Sequence, residues 1–387
     1  MIKKKFLLCT HGTFHYFNLA QSLYRKKQLS KIVSGYPYIK LLKYKLPKNL
    51  IDSNGFYQSM NFFFRKLGLS FNNPIFNILN WKSSLLVDQK SKKYVNQADV
   101  FLSLSGGGLN TGLEFKRNKK LYICERASSH ILYANSILKE EYAKYGINFS
   151  IHNQFIRREL EEYKNANFVL VPSKFVQKTF QKQGILNTRV LNYPSDNTTF
   201  FPIKSIATNK YKTKKFKIVF VGGLTLRKGV QYLIEAFNKL KSNDLELHLI
   251  GTPSQDYQLF KNKINFNKTF IYGHLEQKKI NNILNQCHVF VMPSIEEGAA
   301  ISVAQAMSVG LPVIVTENTG WKEVVLKNKN GFVVPIMNSN KIYQKLKFFY
   351  ENPKQLKRMS KQSLKYSKNK TWDKYVEELN SIIKKYY

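Results

Sequence analysis

Hydrophobic positions recur along the chain in two patterns that alternate. Short apolar runs, typical of buried strands, are followed by stretches in which apolar residues return every three or four positions, typical of helices. The first such pair is KKFLLCTHG and TFHYFNLAQSLYRKK, where the helical repeat consists of Phe14, Phe17, Leu19 and Leu23. Strand, helix and strand in this order predict a parallel sheet covered by helices on both faces.

The alternation occurs in both halves of the sequence. Further candidate strands are ADVFLSLSG, KKLYICE and NFVLVPS in the first half, and FKIVFVGG, LELHLIGT, KTFIYG, HVFVMPS and LPVIVTE in the second. Residues 193–216 between them are polar, contain two prolines and lack either period, which indicates a linker. We therefore predict an α/β protein with two Rossmann-like domains facing a central cleft, over residues 1–192 and 217–365. A helical tail over 366–387 is expected to pack back on the first domain.

The composition agrees with this organisation. With 387 residues, 28 Phe and 23 Tyr, the chain is long and apolar enough to form two full cores. Its three cysteines, Cys9, Cys124 and Cys287, have no metal-ligand spacing and indicate reduced thiols of the cytoplasm. The first apolar run is short for a secretory signal, and no window approaches the roughly 18 apolar residues that span a bilayer. We expect a cytoplasmic protein, soluble or peripheral on the inner face of the cell membrane.

The charge is large and uneven. The formal net charge is +38, and residues 1–50 contain eleven Lys or Arg with no Asp or Glu. Two interpretations of this charge are open: drift of the coding sequence towards Lys, and a function in which the basic region is attracted to an anionic membrane surface. Nucleic-acid binding is disfavoured because no nucleic-acid-binding motif accompanies the charge. Residues 56–86 interleave aromatic and cationic residues, which suits either an interfacial helix on lipid or helices packed on the first sheet.

Two stretches of the second half combine glycines with charged residues. In SIEEGAAISVAQAMSVGLPVIVTENTG, Glu297 follows the strand HVFVMPS and precedes a helix N-terminus whose free N–H groups attract anions. A carboxylate there is either a helix cap or a ligand-binding group. In FVGGLTLRKGVQYLIEAF, Gly222 and Gly223 let a ligand approach the backbone closely, and the cations Arg227 and Lys228 suit a diphosphate.

Together these stretches resemble the C-terminal half of the family 4 (group 1) retaining glycosyltransferases, which have the GT-B fold. The matching elements lie between about residues 217 and 373 and are Val221-Gly222 with Lys228-Gly229, Pro293-Ser294, Glu297-Gly298 and Gly310-Leu311-Pro312. The resemblance implies transfer of a sugar, with retention, from a nucleotide-sugar donor to a glycan or lipid-linked acceptor in cell-surface polysaccharide synthesis. It implies no metal and no cofactor besides the donor.

The resemblance also implies roles for single residues. Glu297 would bind hydroxyls of the transferred sugar, and Lys228 and Arg227 would neutralise the diphosphate. The amides near the helix start would help to hold the donor, at Gly298, Ala299, Ala300 and Ile301. The chain departs from the family pattern at Gln305, which replaces an acid that grips the ribose hydroxyls, and at Gly223, which replaces a basic residue. An amide binds hydroxyls without charge assistance, so a changed activity or nucleotide preference would follow.

The first half contributes weaker candidates. Gly12, after the first strand, would present its N–H to the donor phosphate. The glycines of SLSGGGLNTG form either a plain turn or a close approach to a ligand. In CERASSHILYANSILKEEY we expect Ser128 or Ser129 to cap a helix. This stretch also resembles the middle of bacterial members of the same family, which implies that His130, with Arg126 as the second candidate, lies near the donor sugar.

The expected mechanism follows from charge. Breaking a glycosyl–phosphate bond leaves negative charge on the diphosphate, which Lys228, Arg227 and a helix N-terminus would stabilise. The sequence offers no second well-placed carboxylate for a double displacement, so we expect front-face transfer in which the leaving phosphate oxygen helps to deprotonate the acceptor. Two alternatives stay open: a nucleotide-sugar epimerase of the same fold, and a non-catalytic basic scaffold that binds membrane or nucleic acid.

Overall fold

The computed structural model of the chain describes residues 4–67, 74–210 and 214–387. Strands in these ranges form two sheets. The first sheet contains β1 (Phe6–Thr10), β2 (Leu29–Ser34), β3 (Ile51–Ser53), β4 (Val100–Leu104), β5 (Leu121–Glu125), β6 (Phe168–Val171) and β7 (Thr188–Val190). The second contains β8 (Phe216–Val221), β9 (Leu245–Ile250), β10 (Thr269–Ile271), β11 (Val289–Met292), β12 (Val313–Thr316) and β13 (Gly331–Val334).

Helices follow most of the strands. Those before the second sheet are α1 (Tyr16–Arg25), α2 (Phe56–Lys66), α3 (Pro74–Ser91), α4 (Leu109–Arg117), α5 (Ile131–Ala143), α6 (Asn153–Asn165), α7 (Lys174–Gln181) and α8 (Lys204–Asn209). The remaining helices are α9 (Val230–Asn238), α10 (Gln277–Gln286), α11 (Ile301–Ser308), α12 (Lys322–Asn328), α13 (Ser339–Glu351), α14 (Pro353–Lys368) and α15 (Trp372–Ile383).

The first sheet has the strand order β3-β2-β1-β4-β5-β6-β7. Its strands pair in parallel, with Leu7 of β1 opposite Phe101 of β4. Strands β1, β4 and β5 are buried along their whole length, as expected where helices cover both faces. The order of the strands reverses between β1 and β4, and ligands of such sheets bind in the crevice at the reversal.

The second sheet has the order β10-β9-β8-β11-β12-β13 and is also parallel. Here the order reverses between β8 and β11. The loop after β8 contains the basic turn, and the loop after β11 contains the two adjacent acids. The reversal of the second sheet therefore carries both sequence motifs that suggested a ligand.

The predicted fold class, two Rossmann-like domains in an α/β protein, is confirmed by these sheets. The sequence analysis missed β2, β3, β7 and β13. Strands β3 and β7 have three residues each, and β2 and β13 are only partly buried. Short strands with mixed burial lack a continuous apolar run, so their pairing depends on the neighbouring strand rather than on their own pattern.

The chain crosses between the sheets twice. After β7 it passes through buried Tyr193 and Phe200 and helix α8 to β8, whereas residues 211–213 of the predicted linker lie outside the described residues. At the second crossing α15 returns to α1, where Ser22 and Arg25 donate to Asp373 at 2.5 and 2.7 Å. The C-terminal helix therefore packs on the first domain, as expected. The exact domain boundaries stay a prediction.

Both crossings meet at one buried histidine. His15 Nε2 lies 2.7 Å from Glu125 Oε1, and Tyr193 donates its hydroxyl to the same oxygen at 2.7 Å. The His15 ring lies 4.2 Å from the Tyr193 ring and stacks on Trp372 at 5.9 Å between ring centroids. A compact polar and aromatic cluster thus joins β1, β5, the linker and α15.

The aromatic stretch over residues 56–86 forms α2 and α3. Helix α3 packs on β1 and β2 and buries Phe76, Leu79 and Val87, so the packing interpretation holds for its inner face. Other large apolar side chains of this stretch are exposed, namely Phe56, Phe63, Leu67, Ile78 and Leu85. Residues 68–73 and the side chains of Arg65 and Lys66 lie outside the described residues. Within the described ranges, no helix combines the length and hydropathy needed to cross a bilayer.

Candidate active site

A cleft of about 770 Å³ lies between the two sheets. Its lining comes from the loops after β1, β4 and β5 of the first domain and from the loops after β8 and β11 of the second. These are the loops at the strand-order reversals, where parallel α/β sheets bind their ligands. Arg227 and Glu297 line the second-domain side, and helices α2, α3 and α6 complete the first-domain side.

The basic turn after β8 is held directly against the acidic loop. Gly229, which closes the turn, has a left-handed φ of 66°, and a Cβ there would lie 2.0 Å from the carbonyl oxygen of Pro293. Only glycine allows so close a backbone approach. The backbone N–H of Ile295 donates to the Arg227 carbonyl at 2.9 Å, which fixes the register of the two loops. This close packing of the two loops places Arg227 and Lys228 directly beside the two acids.

Glu297 forms the centre of this charge cluster. Its Oε2 accepts a hydrogen bond from Lys228 Nζ and lies 3.5 Å from an Arg227 amino nitrogen. The Glu297 side chain is 12 % exposed, and its backbone N–H donates to Asn318 at 3.0 Å. The structure thus brings together three of the predicted catalytic residues. Arg227 and Glu297 line the cleft, and Lys228 contacts Glu297.

Glu296, one residue earlier, points to a different environment. Its Oε1 accepts hydrogen bonds from the Ser128 hydroxyl at 2.6 Å and from the Ser129 N–H and hydroxyl at 2.8 and 2.6 Å. Its Oε2 accepts from Arg227 at 2.8 Å. Because the serines belong to the first domain and Arg227 to the second, this buried carboxylate joins the two domains at the base of the cleft.

Electrostatics explains why the pair of acids is stable there. Burial alone would raise the pKa of Glu296, but Arg227 and the serine hydrogen bonds outweigh it and hold that pKa at about 2. Burial, with Arg227 adding to it, lowers the pKa of Lys228 although Glu297 partly opposes this. For Arg227 the two carboxylates overcome burial and raise its pKa. The cluster therefore contains two cations and two carboxylates in a partly dry environment.

Gly298 is where the domains touch most closely. A Cβ at this position would lie 1.9 Å from the carbonyl oxygen of Ala127 in the first domain. The Gly298 carbonyl accepts from the Ser173 hydroxyl at 2.9 Å, again across the domains. A side chain at 298 would force the two lobes apart, so this glycine is required by the interdomain packing.

The serines of the first-domain loop do not cap a helix, contrary to our expectation. Helix α5 begins after His130, whose own Nδ1 accepts the Leu132 N–H at 3.3 Å. Ser128 and Ser129 instead bind Glu296. Two hydroxyls next to a helix start favour a cap on sequence grounds, but a buried carboxylate from another domain is the stronger partner.

His130 is not among the residues that line the cleft, and its role near the donor sugar stays a prediction. The imidazole is fully buried and packs against Tyr163 and Phe180 at 5.2 and 4.8 Å. Burial, with Arg126 nearby, lowers the pKa of His130 to about 4. The weaker candidate Arg126 does line the cleft, where it pairs with Glu159 at 2.6 Å.

His11 is a histidine of the cleft that the sequence analysis did not assign. It follows β1 and lines the cavity, and its Nδ1 is buried without a hydrogen-bond partner in the described structure. Burial and Arg126 lower the pKa of His11 to about 4, so its ring is neutral at pH 7. Its position at the first strand's end was the available signal, because that end adjoins the strand-order reversal.

The remaining predicted positions have diverse surroundings. Gly12 lines the cleft, but its N–H donates to Thr10 Oγ1 at 3.3 Å. A Cβ on Gly222 would meet Phe220 at 3.0 Å, whereas a Cβ on Gly223 would meet nothing closer than 3.6 Å. A methyl group would therefore fit at position 223, where the family pattern has a basic residue.

Helix α11 begins at Ile301, directly after the acidic loop. Ala299 and Ala300 before it are buried, and the Ala300 carbonyl accepts from Trp321 at 2.9 Å. The first N–H groups of a helix have no intrahelical partner and suit an anion, but Ala299, Ala300 and Ile301 are not among the residues that line the cavity. Gln305, one turn later, is partly exposed and does not line the cavity.

The glycine loop after β4 binds a carboxylate of the chain itself. Buried Glu162 accepts hydrogen bonds from the N–H groups of Gly106 and Gly108. Burial raises the pKa of Glu162 to about 8 although Arg158 opposes this. Gly106 still lines the cleft, so the loop is neither a plain turn nor wholly available to a ligand.

Comparison with known proteins agrees with this geometry. Residues 203–366 match the family described as "Glycosyl transferases group 1". The chain is 23% identical over 243 residues to "Putative glycosyltransferase EpsD" of Bacillus subtilis (strain 168), covering 60% of this chain and 63% of that protein. It is 25% identical over 229 residues to "Putative colanic acid biosynthesis glycosyltransferase WcaL" of Escherichia coli (strain K12), covering 53% of each. The matches thus span about half to three-fifths of these curated relatives.

The whole fold also has solved counterparts. The crystal structure of Alr3699/HepE from Anabaena in complex with UDP superimposes with a TM-score of 0.70 at 13% identity, covering 97% of this chain and 99% of that one. This likeness gives the fold, which is GT-B. The family match covers residues 203–366, less than half of the chain, and the structural likeness concerns the fold.

The described part of the chain also bears on whether the site holds a metal ion. Among residues 4–67, 74–210 and 214–387, no group of three or more His, Cys, Asp or Glu side chains could hold a metal ion. The expectation that no metal or further cofactor takes part stays a prediction.

Proposed function

We propose that the protein transfers a sugar from a nucleotide-diphosphate donor to a glycan or lipid-linked acceptor in cell-surface polysaccharide synthesis. The observation that carries the proposal is the cluster of Arg227, Lys228 and Glu297 at the strand-order reversal of the second sheet. HepE, which shares the fold, was solved with UDP, and WcaL is named for colanic acid biosynthesis. Both facts agree with a nucleotide-sugar donor and a polysaccharide product.

In the proposed reaction, the bond between the anomeric carbon and the diphosphate oxygen breaks, and its electron pair stays on that oxygen. The acceptor oxygen forms the new bond to the anomeric carbon, and its proton passes to the departing diphosphate oxygen. Lys228, Arg227 and the free N–H groups at Ile301 stabilise the charge that develops on the diphosphate. Glu297 leaves its contact with Lys228 to bind hydroxyls of the transferred sugar.

We further propose that the anomeric configuration is retained by front-face transfer. A double displacement needs a free carboxylate beside the anomeric carbon. Glu159 lines the cleft but is bound by Arg126 at 2.9 and 2.6 Å, and Glu296 is bound at both oxygens between the domains. Neither carboxylate is placed to act as a nucleophile, which supports the front-face route.

A donor screen tests this function. We expect the full chain to be stabilised against heat by one of UDP, GDP or ADP and by the corresponding sugar nucleotides, since a ligand that binds only the folded state raises its melting temperature. Slow hydrolysis of that donor should release a sugar whose initial anomeric configuration, read by NMR, equals that of the donor. No stabilisation by any nucleoside diphosphate would reject the proposal, and release of an epimeric sugar nucleotide would support the epimerase alternative.

Peripheral membrane binding is a separate proposal. The region over residues 40–48 is rich in lysine and contacts α2 through Lys40, whose Nζ lies 3.7 Å from the Phe62 ring centroid, and α2 and α3 have exposed apolar residues. Each cation near an anionic membrane adds about 1 kcal/mol of attraction. In a vesicle sedimentation assay we expect the protein to pellet with anionic vesicles and to stay in solution with neutral ones. Equal recovery from both vesicle types would contradict it.

A further inference from the structure

The first-domain side of the cleft has its own chemistry. Six residues from the loops after β1 and β2 and from helices α2 and α3 line it, and we call them the acceptor arm: Phe14, Tyr36, Gln58, Phe62, Asn80 and Ser84. None of the six carries a charge. In a chain with a net charge of +38, six uncharged lining residues in one part of the cleft are unexpected, although Lys40 Nζ lies 3.7 Å from the Phe62 ring centroid and Arg126 lines the cleft nearby.

The charges that do line the cleft are already paired. The formally charged lining residues of the described structure are Arg126, Glu159, Arg227 and Glu297. Arg126 binds Glu159, and Arg227 binds the acidic loop. An acceptor bearing a phosphate or carboxylate in the arm would find no unpaired cation among these lining residues, although such groups bind best to Arg and Lys.

Phe14 has a strained backbone conformation in the arm. Its backbone φ is 38°, in the left-handed region that non-glycine residues seldom adopt, and its side chain is 54 % exposed. The ring folds over Gly12, where a Cβ would lie 2.7 Å from it, and meets His11 edge to face at 5.5 Å. Strained residues that persist at a cleft are often part of the function. Here the strain presents a half-exposed aromatic ring to the cavity.

Two of the arm's polar side chains, Gln58 and Asn80, are amides with hydrogen-bonding atoms available to a ligand. Asn80 Oδ1 accepts from Asn61 at 2.9 Å, which orients the Asn80 amide and leaves its NH₂ as a donor. The Gln58 side chain makes no hydrogen bond within the described part of the chain. An amide carries both donors and an acceptor, which matches neighbouring hydroxyl groups.

We infer that the acceptor arm binds an uncharged sugar residue, the non-reducing end of a glycan acceptor, with the ring of Phe14 against its apolar face and the amides of Gln58 and Asn80 on its hydroxyls. Binding sites of this kind combine aromatic surface with a few convergent polar groups. The inference deepens the proposed function and rests on it for the statement that the bound sugar is the acceptor of the reaction. As a sugar-binding site, the arm stands on its own residues.

A glycan array tests the inference with the full-length protein. The array carries oligosaccharides with neutral hexose or N-acetylhexosamine ends, with uronate ends and with phosphorylated ends. We expect the wild type to retain neutral ends. Phe14→Ala and Gln58→Ala should each weaken that binding, by about tenfold for the aromatic ring. Phe63→Ala is the matched control, because Phe63 is a similarly exposed phenylalanine of α2 that does not line the cleft.

Three outcomes would overturn the inference: retention of uronate or phosphorylated ends only, retention of no glycan at all, or equal loss in Phe14→Ala and Phe63→Ala. Equal melting temperatures of the variants exclude a folding defect. Hydrolysis of the sugar nucleotide by the wild type separates this inference from the proposed function, because the array measures glycan binding in the absence of any donor. If the wild type retained neutral glycans through Phe14 but acted on no sugar nucleotide, the sugar-binding role of the arm would stand and the proposed transferase activity would be rejected.

Discussion

The two walls of the cleft offer a ligand different things. The second-domain wall concentrates Arg227, Lys228 and Glu297 in one network of charged contacts. The first-domain wall offers the ring of Phe14 and the amide of Gln58, without an unpaired charge in the described lining. One wall is suited to a charged leaving group and the other to an uncharged sugar, so the asymmetry of the cleft mirrors the asymmetry of the proposed reaction.

The difference also explains why only one wall was visible in the sequence. Charged residues beside glycines at a strand end form a local pattern, and Lys228 and Glu297 lie 69 positions apart in two such patterns. The acceptor arm is assembled from four separate segments between residues 14 and 84. Aromatic and amide residues spread in this way have no motif, and only the fold brings them together.

The largest expected effect is on the charged wall. Glu297→Gln keeps the shape of the side chain but removes the charge that meets Lys228, so we expect kcat to fall by about 10²- to 10³-fold, as for other preorganised charged groups of active sites. The affinity for the nucleoside diphosphate should change little, because the diphosphate meets the cations. Steady-state kinetics and titration with the nucleotide measure both. Glu276→Gln, an exposed acid before α10, is the control, and unchanged turnover in Glu297→Gln would contradict the role.

The second effect concerns the seam where the walls meet. In Gly298→Ala the new methyl group would overlap the Ala127 carbonyl, so the domains must shift, and a displacement of about 1 Å can cost roughly 10²-fold in rate. Gly107→Ala adds the same methyl group at a position that does not line the cavity and where the nearest atom is 3.5 Å away, and it should keep the wild-type activity. If the two variants were equally active, the interdomain contact at 298 would be irrelevant to catalysis.

The smallest effect is expected from the other acid. Glu296→Gln keeps one oxygen for Ser128 and Ser129 but weakens the bond to Arg227, so we expect a loss of roughly threefold in kcat/KM. Its signature is in the pH dependence of stability. The folded pKa of Glu296, about 2, lies below the ordinary value of 4.5, so the charged carboxylate stabilises the fold fully above about pH 4.5.

That stabilisation is lost as the pH falls through the folded pKa. The gap in unfolding free energy between the wild type and Glu296→Gln should therefore be widest near neutral pH and shrink between pH 4.5 and 2. Denaturant titrations at several pH values measure it. A gap that stays constant over this window would mean that Glu296 is not held ionised by its partners.

Much of the fold was predictable, because long apolar strands such as β8 and β9 can be recognised from their residue composition. The roles of neighbouring residues were less so. Glu296 and Glu297 are adjacent in the sequence, yet one joins the domains and the other faces the cleft. Similarly, His11 lines the cavity whereas His130 lies in the core. Which way a loop side chain turns depends on the opposite domain, which no local pattern contains.

The meeting of both interdomain crossings at His15 has a mechanical consequence. Two interdomain crossings that lay far apart would allow the second lobe only to slide. Crossings that meet at one imidazole leave rotation about it as the easiest motion. The cluster of Glu125, His15 and Tyr193 is thus placed as a pivot beside the cleft, since Phe14 and Arg126, next to His15 and Glu125 in the chain, line the cavity. A substrate as bulky as a sugar nucleotide could then enter without either sheet having to deform.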